Sequence, residues 1–127
     1  MRNNIKEYQF YENFNQIAID VLHLAKEIIP EGFLFLSALT NKEQQILKVA
    51  ENKENIHIYE GGTIPLHSAV CTRINFNEGT PLVYEDISKE ASLDDLKKTF
   101  QMTNINAYLG VPVILKNGEV FGTLCAV

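Results

Sequence analysis

The two cysteines of this sequence, Cys71 and Cys125, stand far apart in apolar runs, with no Cys-x-x-Cys pair and no Cys/His ligand spacing. That arrangement excludes a disulfide scaffold and a zinc ribbon, and it predicts buried, reduced thiols. No stretch approaches the roughly 18 apolar residues of a membrane span, and the opening MRNNIKEYQF lacks the apolar centre of a secretion signal. A cytoplasmic location, with no membrane partner, is the default expectation. Basic residues are few and dispersed: 11 against 16 acidic ones, for a net charge of −5, with Lys97-Lys98 the one adjacent pair. Nucleic acid is therefore not an expected partner. Glu85-Asp86 and Asp94-Asp95 are sequence neighbours and do not face each other across a site, so paired-carboxylate catalysis has no support. There is no internal repeat, no low-complexity tract and no linker. What remains is 127 residues, 46% hydrophobic and 21% charged, the profile of one folded domain with one core.

Phe10, Phe14, Ile17, Ala18, Val21, Leu24, Ala25 and Ile28 recur at three-and-four spacing, which predicts a long first helix from Phe10 to Ile29, ended by Pro30 and Gly32. Tyr11, Ile19, Leu22 and Ile29 widen the apolar arc, enough for a second partner such as another subunit. Phe33–Leu39 is apolar on both alternating sets and reads as a central strand, with Ser37 its polar exception. Thr40–Glu43 is a turn, and Ile46–Ala50 completes a hairpin. Ile56–Tyr59 alternates as a short extended piece. Ser68 is a candidate cap for a helix running to about Ile74, and Ser92 with Asp95 resembles a capping box for a helix from Leu93 to about Met102. Pro81–Tyr84 reads as a short strand. Leu109–Leu115 and Val120–Val127 flank an Asn117-Gly118 turn, the strongest short hairpin signal. Pro112 requires a bulge or an unpaired donor position. The order predicts an antiparallel α+β fold.

The closing segment NAYLGVPVILKNGEVFGTLCAV (Asn106 to Val127) resembles the paired last strands of a GAF domain. TIPLHSAVCTRI followed by PLVYEDI (Thr63 to Ile74, then Pro81 to Ile87) is similar to that family's covering helix and third strand with its trailing aspartate. The resemblance implies a single GAF-like domain over residues 1–127, with a sheet of about five strands, terminal helices on one face, and short helices and loops covering a ligand pocket on the other. It implies that the family's usual helix after the last strand is missing here, which leaves an apolar face and predicts a homodimer. It further implies a sensory module that binds an unidentified small molecule and relays its state through terminal helices to an effector domain in a longer parent chain.

Strand alternation on that plan puts Phe33, Phe35, Ser37 and Leu39 on one side of the first strand, and Phe121, Thr123 and Cys125 on one side of the last. Gly122 and Ala126 fall opposite, where small side chains would admit a close helix. Phe35, Ser37 and Thr123 are assigned to the pocket, since a few polar groups in an apolar wall orient a ligand. His67 and Cys71, one helical turn apart, join them, as do Phe100 and Tyr108 as wall or core. Asp86 is either a ligand acceptor or the cap of the turn before Ser88. His23 and His57 read as solvated. No metal ligand set, catalytic residue or cofactor is assigned. Free methionine sulfoxide reductases share this fold, but they place several cysteines around the pocket, and this chain offers one there. Bilin-binding relatives attach pigment through a cysteine usually next to a histidine; here Cys71 is followed by Thr72. The set used by cyclic-nucleotide-binding relatives has no clear counterpart. A dimerisation module with a collapsed pocket and a cysteine-based reductase remain the alternatives to the sensor.

Overall fold

The apolar spacing near the N-terminus forms one continuous helix, α1 (Asn4–Ile28), in the computed structural model, which describes residues 4–51 and 53–127 and their side chains from Phe14 onward. Phe10 and Tyr11 of the predicted stripe lie outside the described side chains. The backbone turns at Pro30 and Gly32, and Lys26 reaches over the turn to the Gly32 carbonyl (3.1 Å) and the Glu51 carboxylate (2.7 Å). That contact ties the end of α1 to the sheet and holds the Glu51 carboxyl below its usual range.

Six antiparallel strands follow: β1 (Leu34–Leu39), β2 (Glu43–Val49), β3 (Thr63–Pro65), β4 (Leu82–Tyr84), β5 (Tyr108–Ile114) and β6 (Val120–Ala126). Their spatial order is β3-β2-β1-β6-β5-β4. The first and last long strands therefore lie side by side, with Leu34 opposite Ala126 and Ser37 opposite Thr123. The sixth strand, beyond the five expected, is β3, whose Gln44↔Ile64 pairing extends the β2 edge. Ile56–Tyr59 is not a strand. It is a loop that buries Ile58 and fastens to the covering segment through His57 N–H donating to the Thr103 carbonyl (3.0 Å).

The covering segment between β3 and β5 is built from 3-10 turns (Leu66–Ser68, Val70–Arg73, Ile87–Lys89, Ala91–Leu96) and one short helix, α2 (Lys97–Thr103). The two predicted caps are not used. Val70–Arg73 begins from Ala69, not Ser68, and Ala91–Leu96 begins from Glu90 without a side-chain cap. Asp95 turns instead to Arg73, which also donates to the Ser92 carbonyl (3.0 Å) and so joins two turns of the cover.

The core has two layers. Between sheet and cover lie Phe33, Phe35, Cys71, Leu93, Leu96, Phe100 and Tyr108 with their neighbours; between sheet and α1 lie Leu22, Leu34 and Ala126, packed by Ala25, Ile29 and Leu124. The helix stripe facing the sheet is thus Ala18, Leu22, Ala25 and Ile29. The other stripe is turned to solvent, with Ile17, Leu24 and Ile28 exposed at 61%, 64% and 74%.

The closing hairpin forms as its Asn-Gly turn predicts, with Asn117 Oδ1 accepting from the Glu119 N–H (3.0 Å). Pro112 lies beyond Gly110, the last β5 residue paired with β4, and a register shift falls beside it between Val113 and Ile114. Two expectations are overturned here, the first by that bulge. Phe121 packs edge-on against Phe14 of α1 (ring centroids 5.5 Å), on the helix side rather than with Thr123 and Cys125. Gly122 does not make room for a helix; a Cβ there would stand 1.9 Å from the Ser37 carbonyl oxygen of the neighbouring strand.

Candidate functional site

The predicted polar residues of the sheet's covered face do come together, but as a buried chain. Gln44 donates to Ser37 Oγ (2.9 Å), Ser37 and Thr123 share a 2.6 Å hydrogen bond, Cys125 Sγ donates to Thr123 Oγ1 (3.1 Å), and Tyr108 Oη meets Cys125 Sγ at 3.2 Å. Ser37 and Thr123 are fully buried. Tyr108 reaches this line because its ring lies over Gly110, where a Cβ would come within 2.5 Å of its hydroxyl. Each partner satisfies another, so removing one strands its neighbours at the desolvation cost of an unpaired group. Thr123→Val should lower unfolding stability by about 1–3 kcal/mol in urea titration.

Burial, with a smaller contribution from nearby Cys125, pushes the Cys71 thiol up to about 12, and burial pushes the Cys125 thiol up to about 11, both from an ordinary 9.0. The same burial raises the Tyr108 phenol. Because the folded values are the higher ones, the stability these thiols contribute is fully present below pH 9.0 and is lost as pH rises toward 11 and 12. At pH 8 a thiol reagent should titrate neither cysteine in the folded domain and both after unfolding; rapid labelling of the native protein would contradict this burial.

The interior beside this chain is nearly filled. Phe35, Phe100 and Tyr108, three of the expected pocket residues, surround a void of about 20 Å³ together with Gln44 and Val70. Cys71 sits in the apolar layer with no exposed surface. Asp86 accepts from the Ser88 N–H (3.0 Å) and Oγ (2.6 Å), which caps the Ile87–Lys89 turn and holds its carboxyl below the usual range. Of the expected residues, only His67 lines the larger opening.

That opening is a cavity of about 590 Å³ between the β2–β3 edge and the cover. Ile46 and Ile64 form the strand wall, Ile58 and Tyr59 come from the preceding loop, and Lys98, Thr99 and Met102 come from α2. His57, with Nδ1 3.1 Å from Tyr59 Oη, and His67 stand at its rim, both exposed. Ile58, Ile64, Thr99 and Thr103 line both this cavity and the inner void, so they form the partition between them. Sequence reasoning missed this set. One signal was available: Asp95, Lys98, Thr99 and Met102 recur at helical spacing, one face of α2 and the turn before it. Among the described residues no group of three or more His, Cys, Asp or Glu side chains is placed to hold a metal. On the opposite face of the sheet, Phe14, Ile17, Val21, Leu36, Phe121 and Leu124 line an apolar groove of about 490 Å³.

Comparison with known proteins was made on sequence and on fold. No curated protein sequence matches the chain. Among solved structures, the fold is similar to the blue-light absorbing form of the Thermosynechococcus elongatus PixJ GAF-domain, at a TM-score of 0.74 and 16% identity over 91% of this chain and 69% of that one. It is similar to the cyanobacteriochrome receptor PixJ in its dark and steady-state illuminated structure, at 0.74 and 16% over 91% and 77%. A far-red cyanobacteriochrome photoreceptor gives 0.65 and 13% over 97% and 81%. At these identities the likeness concerns the fold. The GAF domain family model matches residues 20–127, from the middle of α1 through the closing hairpin, and the chain belongs to the GAF domain family.

Proposed function

We propose that this domain is a sensor: a small molecule enters the cavity between the β2–β3 edge and α2, and its binding favours one arrangement of the cover. The observation that carries this reading is the cavity itself. Its volume of about 590 Å³ lies within the range of small-molecule sites, and its lining mixes apolar wall with a few hydroxyls and ring nitrogens. The cover packs on the sheet through Leu93, Leu96 and Phe100, and polar contacts join it to the neighbouring loop at His57 to Thr103 and Asn104 to the Asn55 carbonyl (2.7 Å). A ligand that binds one arrangement better shifts the balance by its difference in affinity. The output then passes through terminal helices to an effector domain in a longer chain. Membership of the GAF family and likeness in fold to photoreceptor GAF domains support a sensory role. Cysteine chemistry has no such support, because both thiols are buried and held protonated, the opposite of what a reactive thiolate needs. Native mass spectrometry of the domain purified without denaturation tests the reading. A bound small molecule in the wild type that is absent from a variant narrowed from both walls, Thr63→Trp with Met102→Trp, is the expected result. Retention of the same molecule by that variant would place binding elsewhere.

One observation favours a second role beside sensing. Phe14, Ile17, Val21, Leu24 and Ile28 step by three and four, and the sequence carries the step back to Phe10. This is the a/d repeat of a coiled-coil seam, and the stripe lies about a right angle around the helix from the one that packs on the sheet. Two copies meeting along this seam would form the dimer and give the signal a helical path out of the domain.

A further inference from the structure

The charges around the cavity narrow the chemistry of what it takes, on the reading that it is the ligand site. The lining holds one carboxylate, Asp95, and that group is engaged by Arg73. On the α2 side, Lys97 pairs with Asp94 at 3.2 Å, whereas Lys98, which lines the cavity, has no carboxylate within ion-pairing distance among the described residues. His57 and His67 add ring nitrogens at the rim. A chain with a net charge of −5 thus presents, at this opening, an unopposed cation and no unengaged acid among the described residues. Behind this rim the wall is apolar, Ile46, Ile58 and Ile64, with Met102 exposed at its edge. A cationic ligand would find no unengaged carboxylate in the described lining, and a small hydrophilic one would leave that wall wet.

We infer that the cavity selects amphipathic organic anions, molecules of a few hundred daltons whose apolar or aromatic body lies against Ile46, Ile58, Ile64 and Met102 and whose acid group meets Lys98. Charge-assisted hydrogen bonds at a half-enclosed rim fix the orientation of the acid, and the apolar body supplies most of the affinity. The acid therefore discriminates between ligands of similar body.

Two fluorescent probes with similar aromatic bodies separate the contributions: the anion 8-anilinonaphthalene-1-sulfonate and the neutral N-phenyl-1-naphthylamine, each titrated into wild type, Lys98→Gln, Lys98→Glu and the Thr63→Trp/Met102→Trp variant, with circular dichroism confirming that each is folded. The expected result is that Lys98→Gln weakens the anion about 3- to 10-fold, Lys98→Glu weakens it further, and the neutral probe changes by less than about 2-fold. The double tryptophan variant should weaken both, which locates them in the cavity rather than in the apolar groove beside α1. If the tryptophans weaken both probes but the Lys98 variants leave the anion unchanged, the cavity stands as a binding site and its preference for anions is overturned. If the tryptophans weaken neither probe, the cavity is not their site and the reading on which the inference rests fails with it.

Discussion

Replacing Leu22 by glutamate should unfold this domain, whereas the same replacement two residues along, at Leu24, should leave it folded and abolish self-association. Leu22 is 2% exposed and packs on Leu34 and Ala126, and Leu24 is 64% exposed on the other apolar stripe. Losing a buried leucine costs about 2–5 kcal/mol, and placing a carboxylate in the vacated site adds the cost of burying a charge or of protonating it. Against a total stability of about 5–15 kcal/mol, Leu22→Glu leaves little folded protein. Substitution at exposed Leu24 falls within about 0.5 kcal/mol for the isolated fold. It sets a like-charged pair into the a/d seam of the proposed dimer, so sedimentation should show a monomer with an unchanged circular dichroism spectrum. A Leu24→Glu protein that sediments like the wild type would show that this seam joins no second copy.

Gly122→Ala should be nearly as damaging, although it adds one methyl group. The added carbon would stand 1.9 Å from the Ser37 carbonyl oxygen and 2.8 Å from the Ala38 Cα, both backbone atoms of β1. A side chain can rotate away from such a clash, but a backbone paired on both edges cannot. Relief requires the β1–β6 pair to separate at the centre of the sheet, beside the Ser37–Thr123 hydrogen bond. The expected loss is about 3 kcal/mol or more, above the usual cost of overpacking, read as a lowered urea midpoint. A variant within 1 kcal/mol of wild type would contradict this account of the β1–β6 approach.

These two positions also show what the sequence can and cannot carry. The closing hairpin was legible because its signals are local: two alternating apolar runs around Asn117-Gly118. The helix was legible in its end, but it starts at Asn4 rather than Phe10, and its orientation was not legible. Phe14, Ile17, Val21, Leu24 and Ile28 form one apolar stripe and Ala18, Leu22, Ala25 and Ile29 another, and periodicity alone does not say which meets the sheet. The seam is the more regular of the two, which is why it reads as the core. Phe121 was misplaced by one residue of bulge, since a single insertion moves a side chain to the opposite face. The face carrying Ser37 and Thr123 was assigned to the covered side, where the structure has it. Whether that face is open or filled depends on how Phe35, Phe100 and Tyr108 meet across more than 60 residues of chain, and no local pattern encodes such a meeting. The open cavity lies one layer outward, walled by β3 and by α2, elements too short to give a clear period.

The central claim is that a small molecule binds between the β2–β3 edge and α2. A thermal-shift screen of a diverse small-molecule library, run in parallel on the wild type and on Thr63→Trp/Met102→Trp, tests it most directly, because a compound present at about 100 times its Kd adds roughly 2.7 kcal/mol to the folded state. The account predicts compounds that raise the wild-type melting temperature by several degrees and leave the double variant unmoved. Compounds that shift both proteins equally, or a library that shifts neither, would contradict it.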